Sequence, residues 1–377
     1  MKNILVFFGG VSCEHDVSVI TGTMVANSLK GGNFDPIPIF VDENGEWYGG
    51  KELFDIGFCS SFDEKKVYKV TVVPGDDALY RIKNRKLKKI SKADVAINCL
   101  HGLNGEDGSL AGLLQLSGIP LASPSLFASS LSMDKYYTKL LLAGLNVACA
   151  PYVRICRDNY ERGKEFALDF VKKKLEFPVI VKPANLGSSI GITKVSDEGK
   201  LIDALDRAFK YDGKVVVEKA FEGFREINCA CYKSGDKYFV SECEEPLLNG
   251  DLLSFADKYN GEGVKNFPAE IEPSISKKIK ETVKYVYRKL DFKGVIRIDF
   301  LLVGNEVYLN EINSVPGSLA YYLFCSSTDQ LSEFVERLCV DAINERQKFD
   351  SNLFKYKSGI LNAGFFGKGK TGRGNKR

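Results

Sequence analysis

The chain begins with a short apolar stretch, Ile4 to Phe8, that leads through Gly9 and Gly10 into a segment with apolar residues at helical spacing. An apolar run of this length ending at glycines predicts a buried strand, and the spacing from Asp16 to Leu29 predicts a helix behind it. A strand that feeds directly into a helix is typical of α/β folds. The opening therefore predicts an α/β domain.

Hydrophobic periodicity divides the rest of the chain. Strand-like runs at 35–41 and 94–99, with a hairpin-like insertion between them, complete the first domain. One helix over 125–143, a strand and a second helix over 158–174 then lead to the strand FPVIVKP. Alternating strands joined by tight turns follow, which predicts antiparallel pairing. The expected domains are 1–123, 124–215 and 216–347, followed by a basic, disordered tail over 348–377.

Composition excludes several classes of partner and site. With 52 basic and 49 acidic residues the net charge is +3, so neither nucleic acid nor a membrane is an expected partner. No apolar run approaches the roughly 18 residues that span a bilayer, and no signal peptide is evident, so we expect a cytoplasmic protein. The 10 cysteines form no C-x-x-C pair and are interpreted as free thiols. With 2 histidines, a zinc site or a histidine triad is not favoured.

The segment IVKPANLGSSIG combines a strand that delivers Lys182 with a loop of small residues. Gly187 and Gly191 permit close backbone approach, and Lys182 adds a cation. Ser188 and Ser189 offer hydroxyl and amide donors. These features suit a loop that closes over phosphates, although an ordinary Gly/Ser hairpin fits the pattern equally well.

Polar residues alternate along two apolar strand-like segments, RIDF and NEIN. Alternation puts Arg297 and Asp299 on one face of the first strand, and Glu311 and Asn313 share a face of the second. Three oxygen ligands on adjacent strands suit Mg²⁺, which keeps coordination sites for phosphate oxygens. A structural salt bridge from Arg297 to one of the acids is the alternative. In the turn NSVPG that follows, the amide of Gly317 can face an oxyanion.

A weaker signal lies in VVVEKAFEGFREI, where Glu218 ends one strand and Glu226 enters the next. Two acids placed in this way can grip the adenine and ribose of a nucleotide. Acids at strand ends are also common on protein surfaces, so this segment decides nothing alone.

Residues 364–371 fit the P-loop pattern G-x-x-x-x-G-K-[ST]. A P-loop needs a helix directly behind it to direct its N-terminal dipole at the phosphates, and only residues 372–377 follow. We therefore interpret this segment as part of the disordered tail.

These segments, together with GGVSCEHDVS, HGLNGEDGS and MDK, resemble the D-alanine–D-alanine ligases of the ATP-grasp superfamily. The family patterns GGxSxExxVS, HGxxGEDG, MDK, KPxxxGSSxG, EK, RxDF and NExNxxPG stand in this order over residues 1–325. The resemblance implies an α/β (α+β) fold of three domains, an ATP-grasp fold with a Rossmann-like N-terminal domain. The range 1–123 would bind substrate, and the ranges 124–215 and 216–347 would be the ATP-grasp subdomains.

The resemblance also implies roles for single residues. The carboxylate of a first D-alanine, its ammonium held by Glu14, would attack the γ-phosphate of ATP to give an acyl phosphate. The amine of a second D-alanine would then attack, while Arg297 and the Gly317 amide stabilise the oxyanion. Two Mg²⁺ ions, or Mn²⁺, would bind Asp299, Glu311 and Asn313, and ATP would bind Lys135, Lys182, Ser188, Ser189, Glu218, Lys219, Glu226 and Lys258.

In these enzymes a loop of the third domain closes over the phosphates, and SFADKYN matches it with Lys258 and Tyr259 at the tip. Tyr259, Ser188 and Glu14 are expected to form a hydrogen-bonded set that closes the site against water. Tyrosine at this position, where the D-lactate-adding relatives have histidine, favours an amino-acid acceptor. His101 in the HG turn would border the first substrate or serve as a structural hydrogen-bonding residue.

Two departures from the family pattern fall in motifs near the substrates. Ala111 replaces the glutamine of GEDGxxQG, and Tyr322 stands where a serine usually meets the carboxylate of the second substrate. A bulkier, less polar residue reshapes the acceptor pocket. D-Serine or another small amine therefore stays open as the acceptor beside D-alanine.

The expected activity is synthesis of D-alanyl-D-alanine for peptidoglycan precursor by a cytoplasmic homodimer, with D-alanine and ATP as small-molecule partners. A ligase of the same mechanism with another acceptor is the first alternative. The second alternative is a nucleotide-binding regulator without catalysis, and the intact set of charged residues, Lys182, Arg297, Asp299, Glu311 and Asn313, argues against it.

Overall fold

The computed structural model describes residues 1–247 and 265–358. The predicted lid residues Lys258 and Tyr259 and the P-loop-like segment 364–371 lie outside the described residues. In the described part of the chain, no helix is both long and apolar enough to cross a membrane.

A seven-stranded sheet forms the N-terminal part. Its strands are β1 (Lys2–Gly9), β2 (Phe34–Val41), β3 (Trp47–Gly49), β4 (Tyr68–Val73), β5 (Asp76–Lys83), β6 (Lys86–Lys92) and β7 (Val95–Asn98). In space their order is β6-β5-β4-β3-β2-β1-β7. β1 pairs in parallel with β2 and β7, whereas β2 to β6 pair antiparallel, so the insertion extends the sheet as hairpins. The helices are α1 (His15–Ser28), α2 (Ile56–Ser60) and α3 (Ser109–Ser117).

The predicted strand–turn–helix opening is confirmed, and its packing follows from two sequence features. The continuous apolar run 4–8 of β1 is fully buried, as expected for a central parallel strand covered on both faces. Gly22 lets α1 approach β1 closely, since a Cβ at this position would lie 2.1 Å from the Cβ of Phe8. Helix α1, which carries Glu14 at its N-terminal boundary, is thereby fixed against the sheet.

The next sheet has four antiparallel strands in the order β10-β9-β11-β8. They are β8 (Tyr152–Cys156), β9 (Val179–Pro183), β10 (Thr193–Val195) and β11 (Lys214–Lys219). The helices of this region are α4 (Leu126–Met133), α5 (Lys135–Gly144), α6 (Arg157–Arg162), α7 (Lys164–Lys174) and α8 (Leu201–Ala208).

Each of the two helices predicted here is in fact a pair. Asp134 has extended backbone, with ψ of 102°, and its carboxylate accepts the N–H groups of Tyr136 and Tyr137 as an N-cap. Gly163, also extended, separates α6 from α7. The prediction that 125–143 and 158–174 are each one continuous helix was therefore wrong.

The third sheet is antiparallel, as predicted, in the order β13-β12-β16-β17. The strands in this region are β12 (Arg225–Ser234), β13 (Lys237–Val240), β14 (Glu245–Pro246), β15 (Lys265–Asn266), β16 (Val295–Val303) and β17 (Glu306–Asn313), of which β14 and β15 form a separate pair. The helices are α9 (Pro273–Lys289) and α10 (Leu331–Asp350). The range 348–377, predicted as a tail, thus begins inside α10.

One apolar core joins the N-terminal sheet to the C-terminal part of the chain. Val315 and Leu319, from the turn after β17, and Leu338 of α10 are buried in the same cluster as Ile4 and Val25. Because the turn after β17 is anchored in this core, it lies against α1. The fold thereby brings the predicted oxyanion turn next to the predicted substrate residue of the N-terminal domain.

Candidate active site

The glycine-rich loop after β9 contacts the N-terminal boundary of α1. Ser188 and Ser189 both have left-handed backbone, with φ of 50° and 60°, and the Ser188 hydroxyl donates to Oε1 of Glu14. A Cβ at Gly187 would lie 2.8 Å from both Glu14 oxygens, so only glycine allows this approach. The structure therefore brings together two of the three residues in the predicted Glu14–Ser188–Tyr259 set.

Lys182 lies in a buried cluster of charges. Its Nζ is 2.9 Å from Oε2 of Glu218, and Nζ of Lys139 is 3.2 Å from Oε1 of the same carboxylate. Burial opposes ionisation of Glu218, but the two lysines outweigh this effect and hold its pKa below the usual value. Lys139 was not predicted, although it follows Lys135 by one helical turn in α5.

Five of the eight nucleotide-binding residues predicted from sequence line one cavity between the two four-stranded sheets. Its walls include Ile180, Phe221 and Leu301, which are apolar, and the charged or polar residues Lys182, Ser189, Glu218, Lys219, Glu226, Asn310 and Glu311. Lys135 borders the loop side, where its Nζ donates to the carbonyl of Leu186 at 2.6 Å and lies 3.9 Å from Glu311. An apolar slot with cations at one end is suited to a planar base and its phosphates.

The polar residues of β16 and β17 face each other in register, Arg297 with Asn313 and Asp299 with Glu311. Nε and Nη2 of Arg297 donate to the two oxygens of the fully buried Asp299 at 2.7 and 2.8 Å. Nδ2 of Asn313 donates to the same carboxylate at 2.9 Å. Burial would lower the pKa of Arg297, but Asp299 raises it well above its usual value. The structural salt bridge considered as an alternative is therefore present.

This row of residues also fits a divalent cation by its chemistry. Within the two described ranges, no three His, Cys, Asp or Glu side chains are arranged to hold a metal ion by themselves. Asp299 and Glu311 supply carboxylate oxygens on adjacent strands and Asn313 an amide oxygen, a set that Mg²⁺ completes with phosphate oxygens. A carboxylate can accept about four hydrogen bonds or metal contacts, so the Arg297 pair does not exclude a metal at Asp299.

The turn after β17 has an unusual backbone. Ser318, Leu319 and Ala320 have φ of 52°, 53° and 48° within the 3-10 segment Gly317–Leu323. Left-handed backbone costs an L-residue about 1 kcal/mol or more, and three such residues in succession persist only where neighbours hold them. This conformation follows Gly317, the predicted oxyanion donor, directly.

Three side chains of the N-terminal domain contact this turn, and two of them, Thr21 and Glu106, were not predicted. Ser318 N–H donates to Oγ1 of Thr21 at 3.1 Å, and Val315 N–H donates to Oε1 of Glu106 at 3.1 Å. The third, His101, is buried with Nε2 3.2 Å from Oγ1 of Thr21, and its ring also bonds the Val315 backbone. His101 therefore has the structural hydrogen bonds of the second predicted role.

Burial shifts the two titratable members of this group in opposite directions. Burial, assisted by the nearby Arg297, lowers the pKa of His101 to about 4 despite its bond to the Val315 backbone. Burial and the neighbouring Glu14 carboxylate raise the pKa of Glu106 to about 7, although the amides of Gly102 and Val315 favour its ionised form. His101 is thus neutral at pH 7, where it can accept one hydrogen bond and donate another.

Tyr322 lies beside Arg297, at the predicted acceptor position. Burial raises its pKa to about 12, with Arg297 opposing this shift and Glu244 and Asp299 adding to it. Nζ of Lys265 lies 3.9 Å from the centre of the Tyr322 ring and 2.9 Å from Oε1 of Glu244. Lys265 and Glu244 were not predicted, because neither residue lies in one of the sequence motifs described above.

Ala111 lies elsewhere than expected. It is buried in α3 and lines a cavity of about 420 Å³ with Leu126, Tyr287 and Leu338. Among the predicted site residues within 1–247 and 265–358, none apart from Ala111 lines this cavity. The substitution at 111 therefore bears on packing between α3 and α10, whereas the substitution at 322 bears on the site.

Comparison with known proteins agrees with this geometry. The family model described as D-ala D-ala ligase N-terminus matches residues 3–124, and the one described as D-ala D-ala ligase C-terminus matches residues 141–338. A D-alanine–D-alanine ligase of Thermosipho melanesiensis is 36% identical over 95% of this chain and 100% of its own. The crystal structure of the Helicobacter pylori ligase has a TM-score of 0.74 at 34% identity, covering 90% of this chain and 98% of that one.

A further solved structure differs in its named acceptor. The VanG D-Ala:D-Ser ligase from Enterococcus faecalis has a TM-score of 0.76 at 29% identity, covering 89% of this chain and 99% of that one. The predicted ATP-grasp α/β fold is confirmed by these neighbours. Since the two family models together cover most of its length, this chain belongs to the D-alanine–D-alanine ligase family.

Proposed function

We propose that this protein is an ATP-dependent ligase that joins two D-alanine molecules to give D-alanyl-D-alanine, ADP and phosphate. The observation that carries the proposal is the contact of Ser188 with Glu14. It joins the glycine-rich loop of the nucleotide cavity to the residue expected to hold the ammonium of the first D-alanine. A carboxylate bound there would reach the γ-phosphate without leaving the site.

For each step of this reaction, the chain has residues of the required charge or hydrogen-bonding type. Lys135 and Lys182 would neutralise the phosphates while the first carboxylate forms an acyl phosphate, and Asp299, Glu311 and Asn313 would hold Mg²⁺ or Mn²⁺ at the phosphate oxygens. The metal would supply neutralisation of phosphate charge. Arg297 and the Gly317 amide would stabilise the oxyanion as the second amine attacks. Lys258 and Tyr259 remain predicted lid residues.

The remaining expectations have the same basis in the family. We infer that the product serves as a precursor of peptidoglycan, that the enzyme works in the cytoplasm, and that it forms a homodimer. We also infer domains at 1–123, 124–215 and 216–347, the first for substrate and the others for nucleotide. The similarity of this chain to D-alanine–D-alanine ligases supports each of these inferences.

D-Serine is the second candidate acceptor. Tyr322, with Lys265 over its ring, replaces the usual serine at the acceptor position, and a phenol and an ammonium offer donors to a substrate hydroxyl or carboxylate. The similarity to the VanG D-Ala:D-Ser ligase supports this candidate as well. Loss of catalysis is disfavoured, because two charged pairs, Lys182 with Glu218 and Arg297 with Asp299, are intact.

The test measures phosphate release from ATP and Mg²⁺ with D- and L-amino acids, singly and in pairs, and identifies products by mass. D-Alanyl-D-alanine as the main product would establish the proposal. Turnover only with a mixed pair such as D-alanine and D-serine would reassign the acceptor. The absence of turnover with every amino acid would contradict a ligase function.

A further inference from the structure

We propose that Thr21, His101 and Glu106 are positioning residues that hold the turn 314–320 so that the Gly317 amide faces the developing oxyanion. The inference rests on the proposed function, because the oxyanion forms only in that reaction. None of the three residues needs to touch the reacting atoms. They act on the reaction through the backbone of the turn.

The backbone of the turn requires external support. Ser318, Leu319 and Ala320 are three consecutive left-handed residues other than glycine, a conformation that sequence-local forces disfavour. One bond inside the turn, from Leu319 N–H to the carbonyl of Pro316 at 2.8 Å, contributes to it. The contacts from the N-terminal domain flank Gly317 on both sides, at Val315 and at Ser318.

The hydrogen-bond directions around Thr21 are mutually consistent. Its oxygen can accept the N–H of Ser318 at 3.1 Å and also donate its single proton to Nε2 of His101, 3.2 Å away. In this arrangement Nε2 is unprotonated, in agreement with the burial that keeps His101 neutral at pH 7. The other ring nitrogen carries the proton and donates to the backbone of Val315. One arrangement of protons therefore satisfies Thr21, His101 and both backbone contacts.

Glu106 holds the other side of the turn. Its Oε1 accepts the N–H of Val315 at 3.1 Å, and its Oε2 accepts the N–H of Gly102 at 2.9 Å. One carboxylate thus ties the HG turn of the N-terminal domain to the turn that carries Gly317. Because Glu14 lies in the same domain, this tie sets the distance between the first substrate and the oxyanion donor. A displacement of about 1 Å at such a donor can cost 100-fold in rate.

The experiment compares Thr21→Val, Thr21→Ser and the matched control Thr23→Val in the full-length protein. Thr23 is buried in the same helix, but its hydroxyl donates to the carbonyl of Val19 at 2.7 Å within α1. We expect Thr21→Val to lower kcat for dipeptide formation at least about 10-fold, with KM for ATP changed less than about twofold. Thr21→Ser, which keeps the hydroxyl, and Thr23→Val should stay within about threefold of wild type.

Two further measurements separate positioning from a general loss of structure. Exchange of ¹⁸O between bridging and non-bridging positions of ATP, with D-alanine alone, reports reversible acyl-phosphate formation and should persist in Thr21→Val. Hydrogen exchange at the Ser318 amide should accelerate in Thr21→Val and not in Thr23→Val, whatever the substrate of the enzyme. Equal kcat and unchanged exchange at Ser318 in Thr21→Val would overturn the inference.

The outcomes also distinguish this inference from the proposed function. A wild-type enzyme that makes D-alanyl-D-alanine, with Thr21→Val equally active, would leave the function standing and refute the positioning role. A wild-type enzyme without ligase activity would refute the function, and the turn would then be tested by the exchange rate of Ser318 alone. Loss of activity in Thr21→Ser equal to that in Thr21→Val would also contradict a role for the hydroxyl.

Discussion

His101 and Glu106 should make opposite contributions to the pH dependence of stability. Burial, with Arg297 nearby, lowers the pKa of His101 from 6.5 to about 4. Burial, with Glu14 and Glu311 nearby, raises the pKa of Glu106 from 4.5 to about 7. Any difference in pKa between the folded and unfolded chain makes the free energy of unfolding depend on pH.

The sign differs between the two residues. From pH 6.5 down to about 4 the unfolded chain protonates His101 and the folded protein does not, so stability rises with pH in this window. From pH 4.5 to about 7 the folded protein keeps a proton on Glu106 that the unfolded chain has lost, so stability falls as pH rises. Each contribution is about 1.4 kcal/mol per pH unit, or nearly 3 kcal/mol between pH 4.5 and 6.5. In the wild type the two largely cancel.

Single substitutions should remove this cancellation. In Glu106→Gln the His101 contribution remains, and the free energy of unfolding relative to wild type should rise by about 2–3 kcal/mol from pH 4.5 to 6.5. In His101→Gln the Glu106 contribution remains, and the same quantity should fall by about as much. The slopes of the two variants relative to wild type therefore have opposite signs, whatever constant cost each substitution adds.

Urea unfolding followed by tryptophan fluorescence is a suitable assay. Trp47, the only tryptophan in the sequence, lies in β3 of the same domain, with its ring 4.9 Å from that of Phe7. Unfolding would be measured without metal or nucleotide at pH 4.5, 5.5 and 6.5. The controls are His15→Gln, at the other histidine, and Glu43→Gln, at an exposed acid. Parallel pH profiles for wild type, Glu106→Gln and His101→Gln would refute the reasoning.

Three further substitutions test the site itself. Glu311→Gln should abolish phosphate release while circular dichroism stays that of wild type, and near-normal turnover would contradict the metal assignment. Lys139→Met removes one partner of the buried Glu218 and should cost about 3 kcal/mol of unfolding free energy; Lys164→Met, at an exposed ion pair, should cost less than about 1 kcal/mol by the same urea assay. Tyr322→Ser should change the ratio of D-serine to D-alanine incorporation at least about 10-fold, with KM for ATP unchanged; an unaltered ratio would remove this residue from the acceptor pocket.

The strand pair β16 and β17 was predictable because alternation alone determines which residues share a face. The sequence placed Arg297 with Asp299 and Glu311 with Asn313, and the register of the two strands agrees. The irregularity between Asp299 and Phe300 was not predictable, since a bulge depends on how the partner strand pairs. Periodicity constrains faces, but it contains no information about register.

The break between α4 and α5 has a local sequence signal, an aspartate at an N-cap position, that the motif-based interpretation did not use. Asp134 belongs to the MDK motif, in which only Lys135 has a predicted role, as a phosphate ligand. An aspartate followed by a new helical turn is also an N-cap pattern, and in the structure its carboxylate accepts two N–H groups of α5. The break orients Lys135 so that its Nζ reaches the carbonyl of Leu186 in the glycine-rich loop.

Thr21, Glu106 and Lys139 were missed because their roles depend on contacts distant in sequence. Thr21 meets Ser318 across 297 positions, and Glu106 meets Val315 across 209. A threonine in a helix does not differ locally from one without such a partner, whereas Glu106 belongs to the GEDG motif, to which no role was assigned residue by residue. Lys139 offered a weak signal, because a second lysine on the inner face of α5 requires a buried acid to neutralise it.

The residues proposed for acyl-phosphate formation and those proposed for amide formation make their contacts in different parts of the fold. Lys182 and Glu218, at the nucleotide cavity, contact residues of the two small sheets and α5. The turn that carries Gly317 is instead bonded to Thr21 and Glu106 of the N-terminal domain. Substitutions in the first set should therefore change ATP binding and acyl-phosphate formation, whereas substitutions in the second should change amide formation while ATP still binds. Glu14 contacts Ser188 of the glycine-rich loop and also neighbours Glu106, so its substitution should impair both steps together.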